Sequence, residues 1–151
     1  MTSGASAHYP TMSIAEIKAL PVWELIDRKR GTVLFLWATV PMLPDAVDVM
    51  RVWGFSYKTM LVWHKTGRLG LGYWFRGNAE VCLVGVTKGV KAFRCQESNI
   101  IAAPVTRHSS KPQAFFDLVE PICDRCDLTP RLELFAREQR DGWDAWGDEV
   151  A

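Results

Sequence analysis

Apolar residues along this chain fall into short continuous runs. The run GTVLFLWAT, residues 31–39, has no polar alternation, which is typical of a strand covered on both faces and predicts a central parallel strand. The runs YKTMLVWHK, residues 57–65, and AEVCLVGVTKG, residues 79–89, predict two further strands. NIIAAP, residues 99–104, and RLELFAR, residues 131–137, complete a predicted set of five strands.

Amphipathic segments separate these runs. Ser13 and Glu16 form a Ser-x-x-Glu capping box, which predicts a short helix over residues 14–20. LPDAVDVMRVWGF, residues 43–55, predicts a second helix that Gly54 ends, and KPQAFFDLVEPI predicts a third that is entered through Pro112. Strands that alternate with helices predict an α/β fold built on a layered sheet.

Ligands of open α/β sheets bind at the carboxyl ends of the strands. The segments that follow the runs are residues 37–41, 65–78, 107–111 and 137–140. They are rich in arginine, lysine and aromatic side chains, which stack on bases and contact phosphates. A solvated basic rim above core tryptophans is the alternative interpretation. The segment TGRLGLGYWFRGN, residues 66–78, stands out because it holds four glycines, two arginines and three aromatic residues.

Composition limits the class of protein. The 151 residues are 48% hydrophobic and include seven tryptophans, which suits a single domain over residues 1–151 with a substantial core. Eighteen basic and 17 acidic residues give a formal net charge of +1, which neither requires nor excludes a polyanionic partner. The chain has no apolar run long enough to span a bilayer and no signal-peptide pattern at its start, so we expect no membrane association and a cytoplasmic location.

Several common site motifs are absent. Cys123 and Cys126 form a single C-x-x-C at the end of a helical segment, which favours reduced structural cysteines over a zinc or redox site. The three histidines lack metal-ligand spacing, so we expect no metal. No dinucleotide fingerprint, P-loop or G-x-S-x-G elbow occurs.

Seven segments, taken in order, resemble one known family. They are YPTMS, LFLWAT, WGFSYKTMLVWHK, GYWFRGNAEVCLVGV, HSSKP, LELFAR and GWDAWGDE. Together they resemble the MT-A70 adenine methyltransferases, which include bacterial and phage enzymes as well as the catalytic messenger-RNA enzyme of eukaryotes. The resemblance implies a Rossmann-like methyltransferase sheet with helices on both faces. It also implies methyl transfer from S-adenosylmethionine to the exocyclic amine of adenine in nucleic acid, and its bacterial and phage type favours DNA over RNA.

One motif that the resemblance implies does not occur here. Family members carry an Asp-Pro-Pro-Trp motif at the end of a strand before the YPTMS loop, where it accepts hydrogen bonds from the target amine. This sequence contains no Pro-Pro pair. The sequence-based expectation is a chain whose amino-terminal catalytic strand is missing, either through a truncated or misplaced start or through degeneration. We therefore expect this chain to be inactive alone, with catalytic residues unknown.

The resemblance also suggests residues for the substrate. Tyr9 matches the tyrosine of the active-site loop, and Glu80 and Lys111 match positions around the target adenine and the cofactor. Glu80 begins a buried strand, so we expect it to have a partner or ligand. A basic rim around the site completes the predicted substrate-binding set, namely Arg68, Arg76, Arg107 and His108.

The cofactor-binding set follows the last predicted strand. Phe135, Arg137 and Gln139 match contacts to the adenosine and ribose of S-adenosylmethionine, and Lys111 is shared with the substrate set. The tail contributes Asp148 and Glu149, although family members often have Asn at the position of Asp148, and a carboxylate cannot donate as an amide does. Glu133 is interpreted as structural.

Two functions remain open at this point. The first is an adenine-N6 methyltransferase, and the second is a non-catalytic nucleic-acid-binding or partner subunit with a degenerate methyltransferase fold. The expected partner in both cases is nucleic acid, and an uncovered sheet edge would also allow a homo- or hetero-oligomer.

Overall fold

The computed structural model describes residues 12–107 and 110–147, and the chain divides into two compact units. One unit spans residues 12–105 and holds a four-stranded sheet with two α-helices. The other contains the described residues from 106 onward and holds one α-helix and a two-stranded sheet. Within the described residues, no helix is long and apolar enough to cross a bilayer.

The four-stranded sheet is mixed. Its strands are β1 (Val33–Thr39), β2 (Ser56–Thr66), β3 (Ala79–Val86) and β4 (Ile100–Pro104), in the order β1-β3-β2-β4. β3 is antiparallel to both of its neighbours and β2 is parallel to β4, so β1, β2 and β4 run in the same direction. This sheet and its helices confirm the α/β prediction and are consistent with a Rossmann-like methyltransferase fold.

The prediction that residues 31–39 form a central parallel strand is wrong for the described sheet. β1 pairs with β3 in antiparallel register at one end of the described strand order, and its residues from Val33 to Ala38 are half-buried. The inner strands are β3 and β2, and residues 81–85 of β3 are all buried. An apolar run indicates that both faces of a strand are covered, but it specifies neither the direction of the strand nor its place in the sheet.

The two helices of this unit end and begin as their sequences predict. α1 (Ile14–Ala19) begins with the complete capping box between Ser13 and Glu16. α2 (Leu43–Val52) ends in a Schellman motif, in which the Gly54 and Phe55 amides donate to the carbonyls of Arg51 and Met50. Gly54 has a φ of +93°, a conformation that favours glycine.

The second unit is built on α3 (Gln113–Arg125), which follows Pro112 as predicted. The predicted strand over residues 131–137 is shorter in the structure. β5 covers only Leu132–Leu134 because the next residue, Phe135, has a φ of +59° and leaves the extended conformation. β5 pairs in parallel with β6 (Asp144–Trp146), a strand that the sequence analysis did not predict. Cys123 is buried near the end of α3 and burial raises its thiol pKa, which suits a structural cysteine.

Candidate functional site

One edge of the four-stranded sheet gathers most of the candidate residues of the first unit. The carboxyl ends of β1, β2 and β4 lie at this edge, and antiparallel β3 begins there. Glu80, the second residue of β3, stands opposite Thr39 of β1 and Trp63 of β2. For this unit, the strand directions therefore bring together the predicted segments 37–41 and 65–78.

Glu80 has the partner that its position predicts. Its carboxylate lies 2.7 Å from the Lys65 ammonium, and the two side chains are only 13% and 28% exposed. The same ammonium lies 5.1 Å from the centre of the Trp63 ring, and the indole of Trp63 donates to the carbonyl of Ala103 at 2.9 Å. A cation–π contact and a partly buried ion pair therefore hold the carboxylate of Glu80 in one place at the sheet edge.

The loop between β2 and β3, residues 67–78, presents aromatic rings to solvent, and we name it the aromatic loop. Leu71, Tyr73, Trp74 and Phe75 are each more than 90% exposed. The loop carries Arg68 and Arg76 and no acidic residue. Exposed rings beside arginines are suited to contacts with bases and phosphates.

Backbone hydrogen bonds close the aromatic loop at its neck. The Gly70 amide donates to the carbonyl of Gly77 at 2.8 Å, and the Arg76 guanidinium donates to the carbonyl of Gly70 at 3.2 Å. A β-carbon on Gly72 would lie 2.0 Å from the carbonyl oxygen of Phe75, and one on Gly70 would lie 2.5 Å from that of Gly77. The close approach of the two sides of the loop therefore requires glycine at both positions.

A cleft of about 450 Å³ lies at the base of this loop, and we name it the strand-end cleft. Its charged lining residues are Lys65 and Arg68, and no carboxylate lines it. The other lining residues come from the ends of β2 and β4 and from the neck of the loop: Thr66, Gly67, Leu69, Gly70, Gly77, Asn78, Pro104 and Val105. The cleft is therefore suited to a neutral or anionic group.

The second unit contains a cleft of different character, about 440 Å³ in volume, which we name the α3 cleft. Three carboxylates, two amides and one guanidinium line it: Gln113, Glu120, Glu138, Gln139, Arg140 and Asp141. These oxygens can accept hydrogen bonds from hydroxyl groups and attract a cation. The half-buried Glu133 belongs to the same unit, and desolvation raises its pKa, with Arg140 lowering and Glu138 raising it to a lesser degree.

Arg140 organises the α3 cleft. Its guanidinium stacks 3.5 Å from the centre of the Phe116 ring and donates to the Gln113 side chain at 2.8 Å. It also lies 3.4 Å from the carboxylate of Glu138, whose other oxygen is 4.0 Å from Arg107. The positive charge of Arg140 is therefore compensated within the protein, by the Glu138 carboxylate and the face of the Phe116 ring. The Arg140 Nε atom is buried and has no hydrogen-bond partner among the described residues.

The predicted cofactor residues occupy different positions in this unit. Gln139 lines the α3 cleft and donates to the carbonyl of Trp143 at 2.9 Å. Phe135 packs against Trp146, with ring centres 5.5 Å apart, and does not line the cleft. Arg137 is half-buried two residues before Gln139, and Lys111 is half-buried two residues before α3. Asp148 and Glu149 lie outside the described residues.

The predicted substrate residues are distributed over both units. Arg68 and Arg76 share the aromatic loop, and Glu80 lies at the sheet edge that the loop leaves. Arg107 belongs to the second unit, where Glu138 faces it. Tyr9 and His108 lie outside the described residues. Two members of the predicted basic rim, Arg68 and Arg76, thus lie in the aromatic loop, and the roles of all members stay predictions.

Several residues of both clefts are not predicted by the sequence. Lys65 lies within a predicted segment, but the sequence does not identify it as the partner of Glu80, because register across two strands cannot be read from spacing. Gln113 and Glu120 are seven residues apart on α3, a helical spacing that places them on one face and could have marked them. Trp143, which donates to Glu120 at 3.0 Å, was assigned to the tail.

The polar groups of the α3 cleft suit the cofactor that the resemblance implies. S-adenosylmethionine carries a ribose diol, an ammonium group, a sulfonium and one carboxylate, so it presents hydroxyl and ammonium donors and a net positive charge. Carboxylates and amide oxygens are the acceptors that such a molecule needs, and the cleft supplies both. Its residues therefore fit the cofactor. In residues 12–107 and 110–147, no group of three or more His, Cys, Asp or Glu side chains could hold a metal ion.

Comparison with known proteins gives consistent results. The sequence model described as MT-A70 matches residues 1–149. The chain is 31% identical to a protein named type II methyltransferase M.MunI from Mycoplasma sp. over 98% of the chain. It is 29% identical to a probable N(6)-adenosine-methyltransferase MT-A70-like protein of rice and 26% identical to the human N(6)-adenosine-methyltransferase catalytic subunit METTL3, in each case over 94% of the chain.

These relatives are longer than the present sequence. The matched region covers 62% of M.MunI, 20% of the rice protein and 25% of human METTL3. The similarity thus extends along almost the whole of this chain but along only part of each relative.

Proposed function

Because this chain belongs to the MT-A70 family, we propose that it forms a methyltransferase domain acting on the exocyclic amine of adenine in nucleic acid, with DNA preferred over RNA as the substrate. The observation that carries this proposal is the edge of the four-stranded sheet, where the Lys65–Glu80 pair, the strand-end cleft and an acid-free arginine and aromatic loop meet. The names of its relatives, methyltransferases of adenosine among them, support the same reaction.

The chemistry requires positioning above all. The lone pair of the adenine amine is delocalised into the ring, so the amine reacts only when it is held in line with the methyl donor. We assign the substrate side to the sheet edge, where the fixed carboxylate of Glu80 can accept a hydrogen bond. Arg68 and Arg76 are assigned to phosphate contacts beside the target nucleotide.

We assign S-adenosylmethionine to the second unit. When bound, this cofactor supplies an activated methyl group on a positively charged sulfur. Glu120, Glu138 and Gln139 would hold its hydroxyl and cationic groups, while Arg140 would fix the loop that carries two of them. Lys111, Phe135 and Arg137 remain assigned near the cofactor on the basis of family resemblance.

A second role is favoured by one observation. The Asp-Pro-Pro-Trp motif that the resemblance implies for holding the amine does not occur in these 151 residues. We therefore propose that the chain by itself binds nucleic acid without transferring a methyl group. The name of human METTL3 describes that relative as a catalytic subunit, so a role of the present chain as one subunit of an assembly is compatible with its family.

One experiment tests these assignments together. The 151-residue chain is incubated with methyl-labelled S-adenosylmethionine and with matched DNA and RNA oligonucleotides, and both binding and label are measured. We expect binding to oligonucleotide, tighter for DNA, and no label in adenine. Label above a heat-denatured control would overturn the proposed inactivity. A chain that binds no nucleic acid would overturn the proposed function, whether or not it binds the cofactor.

The cofactor assignment has a separate test that does not depend on activity. Equilibrium dialysis with S-adenosylmethionine is carried out on the parent, Gln139→Ala and Arg68→Ala. Gln139→Ala is expected to weaken cofactor binding severalfold, because a hydrogen bond contributes about 1 kcal/mol, whereas Arg68→Ala should match the parent. Equal affinities for all three proteins would move the cofactor away from the α3 cleft.

A further inference from the structure

We propose that Tyr73, Trp74 and Phe75 form a base-stacking tip that packs against unpaired bases of the bound nucleic acid. This inference rests on the proposed function and assigns to one segment a specific task, the contact with bases beside the target adenine. The three rings are consecutive at the tip of the aromatic loop, and their exposed fractions are 105%, 94% and 91%.

The exposure of these rings has no counterpart in the rest of the described chain. The other tryptophans and phenylalanines are buried, half-buried or less exposed, as with Trp23 at 59% and Trp146 at 50%. Placing three neighbouring rings in water is unfavourable, since each loses the burial that would stabilise it. Contiguous exposed apolar groups of this kind mark interaction sites.

The rings are presented by a closed loop. The Gly70–Gly77 hydrogen bond and the Arg76–Gly70 hydrogen bond join its two sides below the tip. The close approach of Gly72 to the carbonyl of Phe75 shapes the turn that carries the rings. A loop that is already closed loses less conformational entropy when it binds than an open one.

The charge around the tip identifies the class of partner. Arg68 and Arg76 flank the rings, and residues 67–78 contain no carboxylate. Aromatic rings combined with cations suit nucleic acid, in which π faces alternate with phosphates. A second copy of this chain would place like charges opposite each other, so the charge pattern favours bases over self-association.

Stacking and phosphate contacts can be distinguished experimentally. Loss of a stacked ring should weaken binding without changing its salt dependence, because no ion is released. Loss of an arginine should also flatten the salt dependence. Leu71 offers a matched control, since it is 94% exposed in the same loop but has no ring.

The test measures fluorescence anisotropy of a labelled single-stranded DNA oligonucleotide at several salt concentrations, together with the fluorescence of an internal 2-aminopurine. Trp74→Ala is expected to raise Kd by about five- to a hundredfold with an unchanged salt slope and to relieve 2-aminopurine quenching. Trp74→Phe, which keeps a ring, and Leu71→Ala should stay near the parent.

The outcomes distinguish failure of the stacking tip from failure of the proposed function on which it rests. If the parent binds the oligonucleotide and Trp74→Ala binds equally well, the stacking tip is wrong while nucleic-acid binding stands. If Trp74→Ala and Leu71→Ala both abolish self-association in sedimentation and leave Kd unchanged, the tip is an interface between copies and the proposal is overturned. A parent that binds no oligonucleotide contradicts both.

Discussion

The aromatic loop and the α3 cleft both combine arginine with a neighbouring aromatic ring, but they use the combination in opposite ways. In the loop, Trp74 is 94% exposed and no carboxylate accompanies the arginines. In the cleft, Phe116 is buried under the Arg140 guanidinium, and Glu138 neutralises that cation. Arginine and a neighbouring aromatic ring therefore face solvent in the aromatic loop, whereas at the α3 cleft they pack against each other and stabilise the fold.

This difference assigns different ligand chemistry to the two regions. Cations without carboxylates attract a polyanion, and the field of the loop extends into solvent. Carboxylates around an internally neutralised arginine favour a small molecule with hydroxyl groups and positive charge. In the sequence both segments belong to one basic and aromatic set, and the structure separates them.

The largest expected effect comes from truncating a ring in each region. Phe116→Ala should lower the free energy of unfolding by about 3–4 kcal/mol, because it removes a buried ring and leaves a cavity. Phe75→Ala, at a residue that is 91% exposed, should leave the free energy of unfolding unchanged within about 0.5 kcal/mol. Urea denaturation followed by circular dichroism measures both. Equal losses would show that the tip is buried in solution and would remove the contrast.

Much of this architecture could be predicted from the sequence. Local signals were sufficient for the capping box of Ser13 and for the helix end at Gly54, because both depend on neighbouring residues. The partner of Glu80 was expected but not identified, since Lys65 reaches it through the pairing of β2 with β3. Strand direction and the short β6 depend on pairing between distant segments, which no local pattern encodes.

The charge of the second unit shows the same limit. Arg107 was assigned to a basic rim, yet Glu138 faces it at 4.0 Å and also accompanies Arg140. A carboxylate two residues from an arginine reads as an incidental neighbour in a sequence. Only the position of residues 138–141 beside α3 shows that the Glu138 carboxylate pairs with both arginines.

The next effect in size concerns one arginine from each region. Arg140→Ala should lower the free energy of unfolding by about 1–2 kcal/mol, because the stack on Phe116 and the bond to Gln113 are both lost. Arg68→Ala should leave stability unchanged and weaken oligonucleotide binding, with a flatter salt dependence. Denaturation and anisotropy titrations give the two readouts. A stability loss in Arg68→Ala comparable with that of Arg140→Ala would contradict the comparison.

A smaller effect tests whether loop shape matters beyond its side chains. Gly72→Ala would place a β-carbon 2.0 Å from the Phe75 carbonyl oxygen, so the turn must open. We expect oligonucleotide affinity to fall by about threefold to tenfold, the range of 0.7–1.4 kcal/mol, with little change in stability. Gly77→Ala is the matched control, since its β-carbon would meet only the Leu71 carbonyl oxygen at 3.8 Å. Indistinguishable affinities for the two variants would show that closure is unimportant.

The smallest expected effect extends the comparison to pH. Each unit has a carboxyl group with a shifted pKa, and the two pKa values shift in opposite directions. Burial raises the pKa of Glu133 above its ordinary value of 4.5, so the folded state binds its proton more tightly than the unfolded state does. The stability that this group contributes is present below pH 4.5 and is lost as pH rises through the raised pKa. Glu133→Gln should therefore remove a decline in stability on the alkaline side of pH 4.5.

Asp27 in the first unit has the opposite sign. Hydrogen bonds from the Arg30 backbone and side chain, and from the Lys29 amide, lower its pKa below the ordinary 3.8. Its contribution is present above pH 3.8 and is lost as pH falls through the lowered value, so Asp27→Asn should remove part of the acid-side decline. Urea denaturation of parent and both variants at pH 3, 5 and 7 measures these slopes. Parallel pH profiles for Glu133→Gln and Asp27→Asn would contradict the assignment, because opposite shifts require the two variants to diverge from the parent on opposite sides of about pH 4.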